Sequence, residues 1–96
     1  MLVGVLAIRV NLRGNRSLKE KRRVIRRAIM RTQVKYKVST AEVGDQDVHE
    51  TALLGVACIS NDPSHIDSVF DKILDFMSRI SPEAEFYPEY RELLRL

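Results

Sequence analysis

The chain has 96 residues, 45% of them hydrophobic and 30% charged, with one cysteine and no tryptophan. Such a length fits one domain, 1–96, with no room for a second core, and the composition excludes a disordered chain, an internal disulfide and a membrane-spanning run of about 20 apolar residues. The net charge of +3 hides a polarity: residues 1–40 hold 12 of the 16 Lys and Arg against Glu20 alone, and residues 41–96 hold 4 basic and 12 acidic residues. This division points either to a polyanionic partner or to complementary self-association.

Leu2 to Leu12 is rich in Val, Leu and Ile at strand length, so it reads as a first strand. No basic segment precedes it, and Arg9 and Asn11 interrupt it. It therefore makes a poor signal peptide, and the reading places the protein in the cytoplasm. Arg13-Gly14-Asn15 carries a turn signal. Ser17-Leu18-Lys19-Glu20 then spells a capping box, in which Ser17 and Glu20 each satisfy the other's free amide.

The helix opened there is expected over 17–36. At 100° per residue Leu18, Ile25, Ala28, Ile29, Thr32 and Tyr36 share one face, and Lys19, Arg23, Arg26, Arg27 and Lys37 lie opposite. Lys21 falls near the apolar face, as a snorkelling side chain or as a recruited ammonium. Val38 to Val43 is a short second strand. Gly44-Asp45-Gln46-Asp47 supplies turn chemistry, and Glu50 to Ser60 forms a third strand.

Asn61-Asp62-Pro63 sets a cap residue before a proline at the first helical position. The second helix runs over 63–80, with Ile66, Val69, Phe70, Ile73, Met77 and Ile80 on one stripe. His65 packs at the edge of that stripe. The outer face carries Asp67, Asp71 and Asp75. Ala84 to Tyr87 is a last strand, placed at a sheet edge by Pro88, and Glu89 to Leu96 adds a helical turn.

The order βαββαβ is the ferredoxin-like pattern, a four-stranded antiparallel sheet with two helices on one face. Such a sheet should be apolar on one side only. Here Leu6, Ile8 and Val10 can face the helices while Val3, Val5 and Ala7 face away. Leu54, Val56 and Cys58 likewise oppose Leu53, Ala57 and Ile59. A second copy of the chain is the simplest cover for the open face, as a dimer with Val3, Val5, Leu53 and Ile59 at the contact. Cys58, inside this apolar run, reads as a small buried hydrophobe.

The strongest functional signal is the basic helix. From Arg13 to Lys37 there are 11 Lys or Arg residues against one Glu. Arg13, Arg16, Lys19, Arg23, Arg26 and Arg27 are the residues expected to contact phosphates, with Lys21 and Arg22 secondary because their helix angles lie nearer the core. The first and third strands lack the aromatics on which a recognition sheet of this topology stacks bases. RNA would therefore meet the helix and its entry loop.

Asp45, Asp47, His49 and Glu50 cluster at the second hairpin, and two histidines in the chain are too few to favour a metal centre over a polar turn. Arg13-Gly14-Asn15-Arg16 sits where an acylphosphatase of this topology keeps its phosphate loop, without that loop's valine-glutamine-glycine core. The readings, in order, are a non-enzymatic accessory protein engaging structured RNA or ribosomal particles, an oligomeric protein-interaction module, and a phosphate-handling enzyme. None calls for a cofactor.

At Ser17-Leu18-Lys19-Glu20-Lys21-Arg22-Arg23 the chain resembles the YlxP-like family of small bacterial proteins, a domain of unknown function. Ala41-Glu42-Val43, Gln46-Asp47, Leu54-Gly55-Val56 and Ser60-Asn61-Asp62 extend the resemblance over nearly the whole chain. It implies a ferredoxin-like fold, a bacterial cytosolic setting and a link to translation, with no established activity or catalytic residue. Members of the family it resembles often carry Trp where this chain has His49, and Asp or a similar residue where it has Gly44.

Overall fold

The computed structural model describes all 96 residues. Its elements are β1 (Leu2–Asn11), α1 (Leu18–Tyr36), β2 (Ser39–Gly44), β3 (Thr51–Ser60), α2 (Pro63–Ile80) and β4 (Glu85–Arg95). The strands form one sheet in the order β2-β3-β1-β4, every neighbour antiparallel. The architecture is the expected ferredoxin-like α+β sandwich.

Pairing of β1 with β3 is in register over its whole length, with Leu6 opposite Val56 and Ile8 opposite Leu54. Side chains alternate across a strand, so this register sends Leu2, Leu6, Ile8 and Val10 to the helices together with Ala52, Leu54, Val56 and Cys58. They meet Ile66, Val69, Phe70, Ile73 and Met77 of α2 and Val24, Ile25 and Ala28 of α1 in a core of 20 buried hydrophobic residues. Leu6, Ile8, Phe70 and Ile73 are fully buried, each worth about 1.5–3 kcal/mol relative to exposure. Gly4 faces α2 so closely that a methyl group there would overlap Ile66 Cγ2 and lie 3.0 Å from Phe70 Cζ.

Both helix starts follow their sequence signals. The Ser17 hydroxyl accepts from the Glu20 amide at 3.3 Å, and the Asp62 carboxylate from the Ser64 amide at 2.9 Å. Only half of the expected capping box forms, because the Glu20 carboxylate instead takes the Arg23 guanidinium at 2.8 Å. α1 ends on Lys37 in the left-handed region at φ 53°, its amide donating to the Gln33 carbonyl.

Three expectations are corrected. The last strand does not stop at Tyr87 and no helical turn follows it. Glu85–Arg95 runs beside the whole of β1, with an irregularity at Pro88 and Glu89 where the register shifts by one residue. Pro88 does lie on an edge strand. His65 is exposed rather than packed. The buried line of α1 is Lys21, Val24, Ile25, Ala28 and Thr32, with Ile29 and Tyr36 partly covered. The helix is thus rolled so that Lys21 points inward and Arg22 outward, the reverse of Arg22's expected lean toward the core.

Candidate nucleic-acid interface

The candidate surface lies on α1, whose buried line fixes which cations reach solvent. Arg16, Lys19, Arg22, Arg26, Arg31, Lys35 and Lys37 are all exposed. None of these seven lies within 4.0 Å of a carboxylate, whereas Arg13, Lys21, Arg23 and Arg27 each do. Lys19, Arg22 and Arg26 follow one another at three- and four-residue steps, so successive charges stand about one helical turn, roughly 5–6 Å, apart.

Of the six expected phosphate contacts, Arg16, Lys19 and Arg26 project freely. Arg13 reaches Glu85 at 3.3 Å, but both side chains remain largely solvated. Arg23 is held by Glu20, and that hydrogen bond raises its already high pKa. Arg27 is half-buried, 2.7 Å from Glu83, with its Nε donating to the Ser81 hydroxyl at 3.3 Å. The Arg27 hydrogen bond holds the Glu83 carboxyl below its ordinary pKa. All six residues share the α1 side of the molecule or its entry loop, in two groups distinguished by ion pairing.

Lys21 departs most from the expected pattern. Its side chain is 1% exposed. The ammonium donates to the carbonyls of Asp45 and, at 2.8 Å, Val48, and lies 3.2 Å from Glu42 Oε2. All three partners belong to β2 or the turn after it, so Lys21 ties that hairpin to the start of α1 and is withdrawn from any phosphate. The sequence signal was its helix angle, which aims it at the core. A cation can occupy such a position only when the fold brings acceptors there.

The entry loop is held from the same side. Gly14 takes φ 80°, the left-handed region that suits glycine, and the Asn15 side chain donates to the Ser17 and His49 carbonyls at 2.9 and 2.7 Å. The hollow beside it, about 290 Å³, is lined by Arg13 and Arg23 but also by Glu20 and Glu83. Its charge is balanced, in contrast to the outer face of α1.

The β2–β3 hairpin organises protein contacts. Asp45, at φ 60°, accepts from Arg9 at 2.5 Å and from the Thr51 hydroxyl at 2.9 Å, while Asp47 and His49 project into solvent. Arg9 also makes a two-pronged pair with Glu89, at 3.2 and 3.0 Å. On the acidic helix, Asp71 and Asp67 face Arg91 of β4 at 2.9 and 3.7 Å, and Arg91 stacks over the Phe70 ring. Asp75 pairs with Arg79. Much of the acidic charge is thus answered within the chain. Cys58 is buried, and desolvation pushes its thiol pKa up, away from reactivity. No helix is long and apolar enough to cross a membrane.

Fold and site together define a ferredoxin-like α+β protein with a basic outer helix. Two solved structures share this fold: a de novo designed protein with ferredoxin fold (TM-score 0.57, 13% identity, covering all of this chain and 88% of that one) and the de novo designed protein Foldit4 (TM-score 0.58, 15% identity, covering 100% and 99%). The chain belongs to the family described as "Protein of unknown function (DUF503)", whose sequence model matches residues 3–88. It is similar to the uncharacterized protein YlxP of the bacterium Bacillus subtilis (strain 168), at 36% identity over 69 residues, 72% of this chain and 74% of that protein. These matches agree with the resemblance read from the Ser17–Arg23 block.

Proposed function

We propose that this protein binds the phosphate backbone of structured RNA, as on ribosomal particles, through the outer face of α1, and acts there as a non-catalytic accessory factor in the cytoplasm. One observation carries the reading: the seven exposed cations Arg16, Lys19, Arg22, Arg26, Arg31, Lys35 and Lys37 lack an ion-pair partner, on a segment whose only acid, Glu20, is engaged by Arg23. Uncompensated positive charge along one helix and its entry loop raises local phosphate concentration, and the released counterions supply the binding free energy. Arg16, Lys19, Arg22 and Arg26 form the centre of the contact. Arg13, Arg23 and Arg27 contribute where a phosphate can compete with Glu85, Glu20 and Glu83.

The test is binding of purified protein to total ribosomal RNA at low salt, by filter retention or fluorescence anisotropy. The expected result is saturable binding that is lost when Arg16, Lys19, Arg22 and Arg26 are changed together to Ala. Absence of binding by the parent protein at low salt, where phosphate contacts are strongest, overturns the proposal. Loss of a protein complex instead, with no RNA affinity in the parent, transfers the helix to the protein-interaction reading.

A further inference from the structure

The sheet face turned away from the helices carries Val3, Val5 and Ala7 of β1 and Leu53, Gly55, Ala57 and Ile59 of β3. The strand register adds Ala41 beside Gly55, Tyr90 beside Ala7, and Leu94 beside Val3. Ile59 is 69% exposed and Tyr90 51%. From these observations we infer that this face is a homodimer interface, in which two copies pack sheet against sheet with their helices outward.

Area supports a second copy. With strands about 4.8 Å apart and about 3.3 Å per residue, the open face projects roughly 550 Å². Two copies bury roughly 1,100 Å² in projection, and side-chain relief adds to this. Specific interfaces start at about 1,000 Å². Alanine and glycine at 7, 41, 55 and 57 keep the centre low, so two such sheets approach to the usual spacing of about 10 Å.

Charge selects among occupants. The single cation of this face, Arg9, is claimed by Asp45 and Glu89, and the Glu92 carboxylate by the Tyr90 hydroxyl. The face therefore offers nothing for phosphate and strands no unanswered cation when covered. Association through the helices would press two basic α1 surfaces together. Pairing along β4 is hindered by Pro88 and its irregularity. The open sheet face lets two copies meet without opposing their basic α1 surfaces, and it leaves both α1 surfaces free on opposite sides of the dimer.

Sedimentation equilibrium of the full chain at tens of micromolar tests this without RNA. The parent should sediment at about twice its 11.0 kDa. Ile59→Lys sits on a side chain that contributes little to the fold, and Ala57→Glu lies at the centre of the face. Each should weaken association by roughly a hundredfold, since an unpaired charge enters the interface twice. Circular dichroism should stay that of the parent for Ile59→Lys. A monomeric parent overturns the inference and leaves the face to a different protein. A dimer that persists in both folded variants overturns it too, and moves the contact to the β2 edge. The outcome is independent of RNA affinity, so this inference and the proposed function fail separately.

Discussion

The ammonium of Lys21 donates to the carbonyl of Val48 at 2.8 Å, joining the first turn of α1 to the loop between β2 and β3. A lysine drawn into the protein must replace its water shell with fixed acceptors, and Asp45, Val48 and Glu42 supply them. The same residue heads the buried line of α1, with Val24, Ile25, Ala28 and Thr32, that sets the roll of the helix. With this line turned inward, Lys19, Arg22 and Arg26 are turned outward.

Lys21→Ala should destabilise the protein by about 3 kcal/mol, at the lower end for breaking a buried ion pair because Glu42 keeps some contact with water. Lys21→Met, which keeps the apolar stem, should cost less. Urea denaturation monitored by circular dichroism gives both values. A change below about 0.5 kcal/mol for Lys21→Ala would show that the hairpin holds without the ammonium.

The two groups of arginines should separate in the salt dependence of RNA binding. Removing Arg16, Lys19, Arg22 and Arg26 should make the slope of log affinity against log salt shallower by about three to four, the range for four lost contacts to single-stranded or helical phosphates. Removing Arg13, Arg23 and Arg27 should change it less, because each first has to leave a carboxylate. Equal changes would mean that the internal ion pairs do not restrain these side chains.

Glu83 provides a pH signature. Its carboxyl pKa is lowered in the folded protein, chiefly by the Arg27 hydrogen bond, so its stabilisation is fully present above the unfolded-state value. It is lost as pH falls from there through the lowered folded value. Glu83→Gln should flatten this part of the acid limb while costing up to about 1 kcal/mol near neutrality, as for a half-exposed pair. Denaturant midpoints measured across the acid range would show an unchanged profile if the pair contributes nothing.

Gly4 tests the packing of β1 on α2. Gly4→Ala should cost about 1–3 kcal/mol, because the new methyl overlaps Ile66 Cγ2 in a filled core. In an Ile66→Ala background, where that methyl is absent, the same change should cost markedly less. Additive costs in the double-mutant cycle would place the strain elsewhere.

Most of the fold was legible in the chain because its signals are local. Ser17 and Asp62 mark helix starts through amides two or three residues away, and Gly44-Asp45 marks a turn through its own backbone. The apolar runs of β1 and β3 marked the two central strands, and strand alternation correctly divided Leu6 and Leu54 from Val5 and Leu53. The excess of cations between Arg13 and Lys37 was equally plain, since counting needs no geometry. What the sequence left open depended on partners distant along the chain. The segment after Pro88 mixes four charged residues with Tyr90, Leu93, Leu94 and Leu96 and has no β-branched residue, and it becomes strand because β1 offers a free edge along its whole length. Arg27 meets Glu83 across 56 residues and Arg9 meets Glu89 across 80, so their ion pairing could not be read from spacing. Lys21 shows the division within one side chain: its helix angle aimed it at the core, but only the tertiary structure brought the carbonyls of Asp45 and Val48 to receive it. Ion pairing requires proximity in space, and proximity between distant segments exists only once the sheet has assembled.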